Sequence, residues 1–261
     1  MEERLQWIRL SPKAWANWDP VRGGLAAHAA IARRYPSAHA WLVDETGNPS
    51  IEAALSRPWW RRWGAPAARR GEPPEGSAQM VWANMQLHMS AQPQELMLRW
   101  HRALEPHGFL MFSCLGPDTL RELRTLYRAL GWPPPAHDFT DMHDWGDMLV
   151  HAGFAEPVMD MERVTLTWPG PQRLVEELRD LGANLHRERF GALRGRGWRR
   201  RLDDELARGL AQPDGRLALT FEVIYGHALK PAPVVRMSGQ SAVSLEDMRS
   251  LLREGRGPRH E

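Results

Sequence analysis

The sequence has little cysteine and no long apolar run. Its 261 residues contain one cysteine, Cys114, which excludes an intramolecular disulfide and a cysteine-rich zinc site. We expect Cys114 to be a small core residue at the end of a buried strand rather than a nucleophile. No stretch of eighteen apolar residues occurs, and residues 1–5 lack the profile of a signal peptide. These absences predict a cytoplasmic protein that does not enter a membrane.

The sequence also lacks a recognisable set of catalytic or metal-binding side chains. No serine lies in a nucleophile-elbow pattern. Asp141, His143 and Asp144 fit the exposed start of one helix better than a metal cage. We therefore predict no metal site and no catalytic side chain that reacts covalently or transfers a proton.

The net charge is only +2, but the positive residues are clustered. One cluster spans 57–70, and a second comprises Arg194, Arg196, Arg199, Arg200 and Arg201. Such patches attract an acidic partner. Arginine mixed with tryptophan also suits RNA, although that interpretation depends on composition alone. For either cluster, a basic surface that is simply exposed to solvent is about as good an explanation as a binding surface.

Strand and helix patterns alternate along the chain. Apolar or alternating runs predict strands at 39–43, 80–84, 109–112, 164–168 and 217–225, and helical spacing predicts helices at 24–34, 97–104, 120–130 and 142–149. Residues 46–76 show no strand pattern, and we expect a short helix near 51–55 followed by irregular chain. The alternation implies one α/β domain at 1–230, and the polar tail at 231–261 is expected to hold one short helix.

Several stretches resemble one enzyme family. They are residues 81–88, 102–109, 116–124, 151–154 and 220–228. Together they are similar to the malonyl-acyl-carrier-protein O-methyltransferases of biotin synthesis, over roughly residues 16–230. The blocks Gly-Pro-Asp-Thr-Leu-Arg-Glu-Leu-Arg at 116–124 and Thr-Phe-Glu-Val-Ile-Tyr-Gly-His-Ala at 220–228 are the most specific.

The resemblance implies a Rossmann-like class I methyltransferase fold. Such a fold has a mixed seven-stranded sheet with helices on both faces, here with a helical insertion near 171–212. It also implies S-adenosylmethionine as cofactor, and an acyl carrier protein or a small carboxylic acid as the substrate that is methylated on a free carboxylate. A carboxylate with a pKa near 4 is already ionised at neutral pH, so the reaction needs alignment rather than a general base.

The resemblance places the cofactor loop at 19–25. Asp19 matches the acid that opens the family's Asp-x-Gly-x-Gly-x-Gly loop, whose glycine positions here hold Val21, Gly23 and Leu25, with Gly24 beside them. A β-branched residue resists the backbone conformations that such a loop needs, so we expect Val21 to be the most damaging departure.

Two further positions match cofactor contacts. Asp44 matches the acid at the end of the second strand that accepts the ribose hydroxyls, although a simple loop acid remains an alternative. Asn84 matches the residue at the end of the family's fourth strand, near the methyl group of the cofactor. The alternative is that its side chain only caps the protein backbone. No acid that would read the adenine is recognisable at 69–76.

Two hypotheses about function follow. In the first, the chain is an active methyltransferase whose arginines at 194–201 meet an acidic carrier protein. In the second, it is a cofactor-deficient, methyltransferase-like protein that acts as a binding or scaffolding module. The substrate-side segments match the family better than the cofactor loop does, and this favours the first.

Overall fold

The structure, a computed structural model, describes residues 1–44, 47, 49–51 and 68–233. Residues Met1–Pro231 form one compact unit. The helix predicted near 51–55 lies outside the described residues from residue 52 onward. The basic residues at 57–62 and the tail from residue 234 also lie outside them.

Seven strands form a single mixed sheet. They are β1 (Ala14–Trp18), β2 (His39–Val43), β3 (Arg69–Arg70), β4 (Ala78–Ala83), β5 (Leu104–Leu115), β6 (Ala155–Trp168) and β7 (Leu217–Leu229). Their spatial order is β3-β2-β1-β4-β5-β7-β6. Neighbours from β3 to β5 are parallel, and β7 is antiparallel to both β5 and β6.

Helices cover both faces of this sheet. They are α1 (Leu25–Arg34), α2 (Pro93–Ala103), α3 (Arg121–Ala129), α4 (Met142–His151), α5 (Pro171–Asp180) and α6 (Arg196–Gly209). On one face Trp15 and Phe109 share a buried cluster with Ile31 of α1. On the other, Leu110 lies with Trp100 of α2 and Trp145 of α4. In the part of the chain that the structure describes, every helix is too short or too polar to cross a bilayer.

The predicted fold class is confirmed, with the helical insertion formed by α5 and α6 between β6 and β7. Two strands were missed. β1 reads Ala-Trp-Ala-Asn-Trp, and its buried Asn17 interrupts the apolar run that marks a parallel strand. The prediction of irregular chain from residue 56 to residue 76 was wrong at β3, which pairs with β2 through the backbone while both its side chains are exposed.

The most family-specific blocks of sequence contact each other. The Glu122 carboxylate accepts hydrogen bonds from the Thr220 backbone N–H (2.9 Å) and hydroxyl (2.6 Å), and Glu222 accepts one from the Asp118 N–H (2.9 Å). A Cβ at Gly226 would lie 2.0 Å from the Phe112 ring, so no side chain fits there. These blocks therefore hold α3 and the loop before it against β7.

The chain leaves β1 toward β2 on one side and reaches β4 on the other. In open α/β sheets, ligands bind outside the carboxyl ends of the strands at such a switch point. The ends of β1, β2 and β4 are therefore the place to look for a site.

Candidate cofactor and substrate site

A cavity of about 320 Å³ opens at the carboxyl ends of β1 and β2. Its lining is mostly polar and comprises Trp18, Asp19, Arg22, Val43, Gln86, Met89, Ser90, Ala91, Gln92, Glu95, Leu96 and Arg99. We call it the polar cavity. Its position at the switch point is the one that this class of sheet uses for ligands.

Asp19 turns the chain out of β1 and into the loop before α1. Its backbone has φ 45°, and its N–H donates to the Val43 carbonyl (2.8 Å). Its own carbonyl accepts from the Gly23 N–H (2.9 Å), and its carboxylate accepts from the Arg22 N–H (3.2 Å). Asp19 therefore fixes the loop and also contributes a carboxylate to the polar cavity.

The two glycines of this loop have different reasons to be glycine. A Cβ at Gly23 would lie 3.0 Å from the Asn84 carbonyl oxygen, so the loop could not approach β4 as closely. Gly24, just before α1, has φ +89° with open space around it. The strain that we predicted at Val21 is absent, because the positive φ angles of the loop fall on Asp19 and Gly24 instead.

Asn84 fastens this loop to the sheet. Its amide donates to the Gly23 carbonyl (2.5 Å), and its side-chain oxygen accepts from the Ser113 hydroxyl (2.5 Å). Both polar atoms of the side chain are therefore engaged by the protein. This geometry agrees with the backbone-capping alternative for Asn84.

Asp44, directly after β2, faces an arginine. The Arg70 guanidinium on β3 lies 3.3 Å from its carboxylate, and the Asp44 side chain is fully buried. In this arrangement the carboxylate is not open to a ribose.

An acid, Glu72, follows β3 within the range where the sequence showed no recognisable acid that would read the adenine. Glu72 lies two residues beyond the strand and binds Arg99 of α2. Arg99 lines the polar cavity and lies over the Trp18 ring, 5.4 Å from its centroid. The position of Glu72 could not be interpreted from sequence because β3 itself carries no recognisable pattern.

A second cavity, of about 450 Å³, is mainly apolar. It is lined by Arg22, Met85, His88, Met89, Leu115, Val164, Leu166, Asp180, Leu181, Gly182, Ala183, Leu185, Phe221 and Val223. We call it the apolar cavity. Arg22 and Met89 line both cavities, so the two adjoin, and Arg22 brings a guanidinium to their shared wall.

His88 is a polar group in the wall of the apolar cavity. Burial, with the nearby His137 adding to the effect, lowers the pKa of His88 to about 4, so the ring is neutral at physiological pH. Its Nδ1 accepts from the Leu115 N–H (3.3 Å), which leaves the proton on Nε2. Sequence analysis singled out neither His88 nor Arg22, because only the packing of β4 and the loop brings them to one cavity.

The five arginines at 194–201 do not form one uniform surface. Arg194 stacks on Phe190 and Trp198, Arg199 pairs with Asp203 at 3.0 Å, and Arg201 lies over the Trp132 ring. Arg196 and Arg200 are exposed and form no ion pair with any described residue. Because α6 begins at Arg196, residues 196, 199 and 200 lie on one helix face.

Two other features agree with the sequence interpretation. Cys114 is free and buried, and burial raises the pKa of its thiol well above the usual range, as expected of a core residue. Asp141 caps α4 by accepting from the His143 N–H (2.8 Å), which makes this segment a helix start.

Comparison with known proteins identifies the family. A malonyl-acyl-carrier-protein O-methyltransferase of Gallionella capsiferriformans is 37% identical over 256 residues, covering 93% of this chain and 86% of the relative. The corresponding protein of Nitrosospira multiformis is 41% identical over 255 residues, covering 89% and 81%. The chain belongs to the malonyl-acyl-carrier-protein O-methyltransferase family. No protein-family model matches the sequence.

Solved structures agree with this family at the level of the fold. The YcgJ protein of Bacillus subtilis has a TM-score of 0.58 at 10% identity, covering 88% of this chain and 97% of that one. A Haemonchus contortus phosphoethanolamine N-methyltransferase 2 in complex with S-adenosyl-L-methionine has a TM-score of 0.50 at 14% identity, covering 88% and 51%. The predicted family, a class of methyltransferases that use S-adenosylmethionine, is confirmed.

The polar cavity has the chemistry that this family's cofactor needs. S-Adenosylmethionine carries a sulfonium, an ammonium and a carboxylate, and the lining holds Glu95 together with Asp19 and Arg22, which form an ion pair with each other at 3.5 Å. Each of these charged groups could face a ligand charge of opposite sign once that pair is exchanged for the ligand. The side-chain N–H groups of Trp18 and Gln86 are buried without a partner among the described residues. The buried Asp44 is one departure, and Val21 and Leu25 at two glycine positions are others. The polar lining therefore fits the cofactor, whereas Asp44 would contact it only if Arg70 gives way.

Proposed function

We propose that this chain transfers the methyl group of S-adenosylmethionine to the free carboxylate of malonyl-acyl carrier protein. The observation that carries the proposal is the adjoining pair of cavities at the switch point of a sheet of this family, with Arg22 in the wall of both. The polar cavity suits the charged cofactor, and the apolar cavity suits an acyl chain.

The proposed chemistry needs little from side chains. The cofactor, when bound, supplies an activated methyl group, and the acceptor carboxylate is already ionised at neutral pH. Arg22 would hold that carboxylate at the boundary between the cavities. The neutral His88 would donate a hydrogen bond from Nε2, and the apolar walls would exclude water. The chain's contribution is therefore alignment, as expected for positioning catalysis.

The cofactor side of this proposal uses the predicted residues in different ways. Asp19 offers a carboxylate to the polar cavity, whereas Gly23, Gly24 and Asn84 shape the loop that borders it. Asp44 would accept the ribose hydroxyls only after its contact with Arg70 is exchanged for the ligand. We therefore expect cofactor binding to be weakened by competition for Asp44.

The carrier-docking side uses the exposed arginines of α6. Arg196 and Arg199 stand in the first turn of α6 and Arg200 follows directly after it, and positive charge in the first turn opposes the helix dipole and is unfavourable by a few tenths of a kcal/mol per residue. An acidic carrier protein would compensate for this by electrostatic complementarity. Arg196 and Arg200 are the members that remain available, because Arg199 is held by Asp203.

Two observations favour the alternative function of a cofactor-deficient binding module. The Asp44 carboxylate is fully buried against Arg70, and two of the three loop glycine positions hold Val21 and Leu25. If Arg70 never releases Asp44, the cofactor loses its ribose contact.

A methyl-transfer assay separates the two functions. The protein is incubated with methyl-labelled S-adenosylmethionine and malonyl-acyl carrier protein, with acetyl-acyl carrier protein as the control that lacks a free carboxylate. We expect a base-labile label on the malonyl carrier alone. Binding of the malonyl carrier without any transfer of label would contradict the proposal and favour the binding module.

A further inference from the structure

A third cavity, of about 560 Å³, is strongly basic. Four arginines line it, namely Arg179, Arg189, Arg194 and Arg199, and no carboxylate among the described residues does. The rest of its lining is Tyr127, Pro133, Pro134, Pro135, Asn184, Phe190, Ala192, Leu193 and Trp198. We call it the arginine cavity. Several cations facing one concave space repel each other and attract an anion.

Two aromatic rings fix the position of the Arg194 guanidinium in this cavity. Its guanidinium carbon lies 3.9 Å from the Trp198 ring centroid and 4.2 Å from that of Phe190. Aromatic contacts on the guanidinium faces leave its N–H groups, which lie in the plane, for hydrogen bonding. Neither Arg194 nor Arg179 forms an ion pair with any residue that the structure describes. Burial raises the pKa of the nearby Tyr127, against the opposing effect of Arg194, so its hydroxyl remains a donor.

The other two arginines have partners within the protein. Arg199 is paired with Asp203, and Arg189 donates to the His186 carbonyl (3.1 Å). That bond leaves the charge of Arg189 uncompensated, because a carbonyl is neutral. The cavity therefore carries about three uncompensated positive charges, and several guanidinium groups suit the multiple acceptor oxygens of a phosphate better than a single carboxylate.

The arginine cavity is the outer end of a row of adjoining cavities. A small cavity of about 100 Å³ shares Pro135 and Asn184 with it. That small cavity shares seven lining residues with the apolar cavity, among them His88, Leu115 and Phe221. The apolar cavity in turn adjoins the polar cavity through Arg22 and Met89. Shared lining residues therefore link the arginine cavity, through the two cavities between them, to the proposed cofactor site.

We infer that the arginine cavity binds the phosphate of the phosphopantetheine arm on which a carrier protein presents its acyl group. The arm continues through the small cavity into the apolar cavity, and its terminal carboxylate reaches Arg22. This inference rests on the proposed function. Such a ligand has a phosphate at one end, a long neutral middle and a carboxylate at the other end, which matches a basic cavity, the apolar walls beyond it and Arg22. A nucleic acid would instead need a groove that continues along the surface.

The test is calorimetric titration with 4′-phosphopantetheine and with pantetheine, which lacks the phosphate. We expect the wild-type protein to bind the phosphorylated ligand roughly 10- to 100-fold more tightly, as for a charge-assisted contact. The double variant Arg179→Gln/Arg194→Gln should bind both ligands equally. Arg179→Gln alone, which leaves the stacked Arg194 in place, should lose part of the preference. Arg128→Gln, an exposed arginine on α3, is the matched control and should keep all of it.

Equal binding of the two ligands by the wild-type protein, or an unchanged preference in the double variant, would overturn the inference. Tighter binding of an oligouridine that the same substitutions abolish would also overturn it, in favour of a nucleic-acid surface. These outcomes do not depend on activity. Failure of the proposed function has a separate readout, because malonyl-pantetheine, which lacks the phosphate, would then receive no label from S-adenosylmethionine either.

Discussion

Arg70 contacts the Asp44 carboxylate at 3.3 Å, across the two outermost parallel strands of the sheet. The contact neutralises the acid that we expect to accept the ribose hydroxyls of the cofactor. The Asp44 side chain is fully buried, whereas the Arg70 side chain is 41% exposed. We therefore expect the affinity for S-adenosylmethionine to depend on how easily the Arg70 side chain moves away from the Asp44 carboxylate.

Replacing Arg70 by glutamine is expected to strengthen the binding of S-adenosylmethionine. The Arg70 side chain is partly exposed, so breaking its ion pair costs at most about 1 kcal/mol, and the expected gain in affinity is up to about 5-fold. Calorimetric titration measures the change. Arg69→Gln, the exposed neighbour on the same strand, is the matched control and should bind as the wild-type protein does.

A second variant tests whether the gain in cofactor affinity in Arg70→Gln depends on Asp44. Asp44→Asn should weaken binding by roughly 1.5 to 3 kcal/mol, as for charge-assisted hydrogen bonds. In that background Arg70→Gln should give no gain. An intact fold with unchanged affinity in Asp44→Asn would make Asp44 a simple loop acid.

The fold was largely predictable because most of its elements carry a hydrophobic period. α2 and α4 show apolar residues at helical spacing, and β7 alternates along its length. β1 and β3 could not be predicted in this way. β1 contains a buried asparagine, and β3 is defined by backbone pairing with β2 rather than by its side chains.

The site was predictable only in outline. The family resemblance placed Asp19, and the predicted strand ends placed Asp44 and Asn84, at the carboxyl ends of β1, β2 and β4. Their partners could not be inferred, because the Arg70 and Ser113 contacts depend on tertiary packing between separate strands. For the same reason, sequence alone did not show that Arg22 lies in the wall of two cavities.

Asn84 should matter for the stability of the cofactor loop. Asn84→Asp keeps an acceptor for Ser113 but removes the amide that donates to the Gly23 carbonyl. We expect a loss of about 1 to 3 kcal/mol in the free energy of unfolding, measured in urea, together with weaker cofactor binding. Asn184→Asp, whose amide donates to the Pro134 carbonyl (2.9 Å) away from the loop, is the control. Cofactor affinity that falls equally in both variants would contradict a specific role for Asn84.

Charge reversal on α6 should slow association with the carrier protein. We choose Arg196→Glu/Arg200→Glu because these side chains are exposed, whereas reversal of Arg199 would also break its pair with Asp203. The association rate, measured by stopped flow, should fall most at low salt, because exposed charges are screened over about 8 to 10 Å. Arg69→Glu/Arg128→Glu makes the same change in net charge elsewhere. Equal rates for the α6 variant and the wild-type protein at low salt would remove the docking role.

His88 should make stability depend on pH. Its folded-state pKa of about 4 lies below the unfolded value, so the unfolded chain takes up a proton first as the pH falls from about 6.5 to 4. The contribution of the neutral His88 ring to the free energy of unfolding is fully present above pH 6.5. It is lost as the pH falls from about 6.5 to about 4, at about 1.4 kcal/mol per pH unit. Unfolding in urea at several pH values should show a shallower dependence in His88→Gln than in His143→Gln, an exposed control. Parallel curves for the two variants would contradict the buried neutral ring.

The most direct test of the central claim is titration of the purified protein with S-adenosylmethionine and S-adenosylhomocysteine. The account predicts measurable binding of both, weakened by the competition of Arg70 for Asp44, and tighter in Arg70→Gln. Binding should also raise the melting temperature, because a ligand that binds only the folded state stabilises it. No heat and no shift in melting temperature at millimolar ligand, in the wild-type protein and in Arg70→Gln alike, would contradict the account.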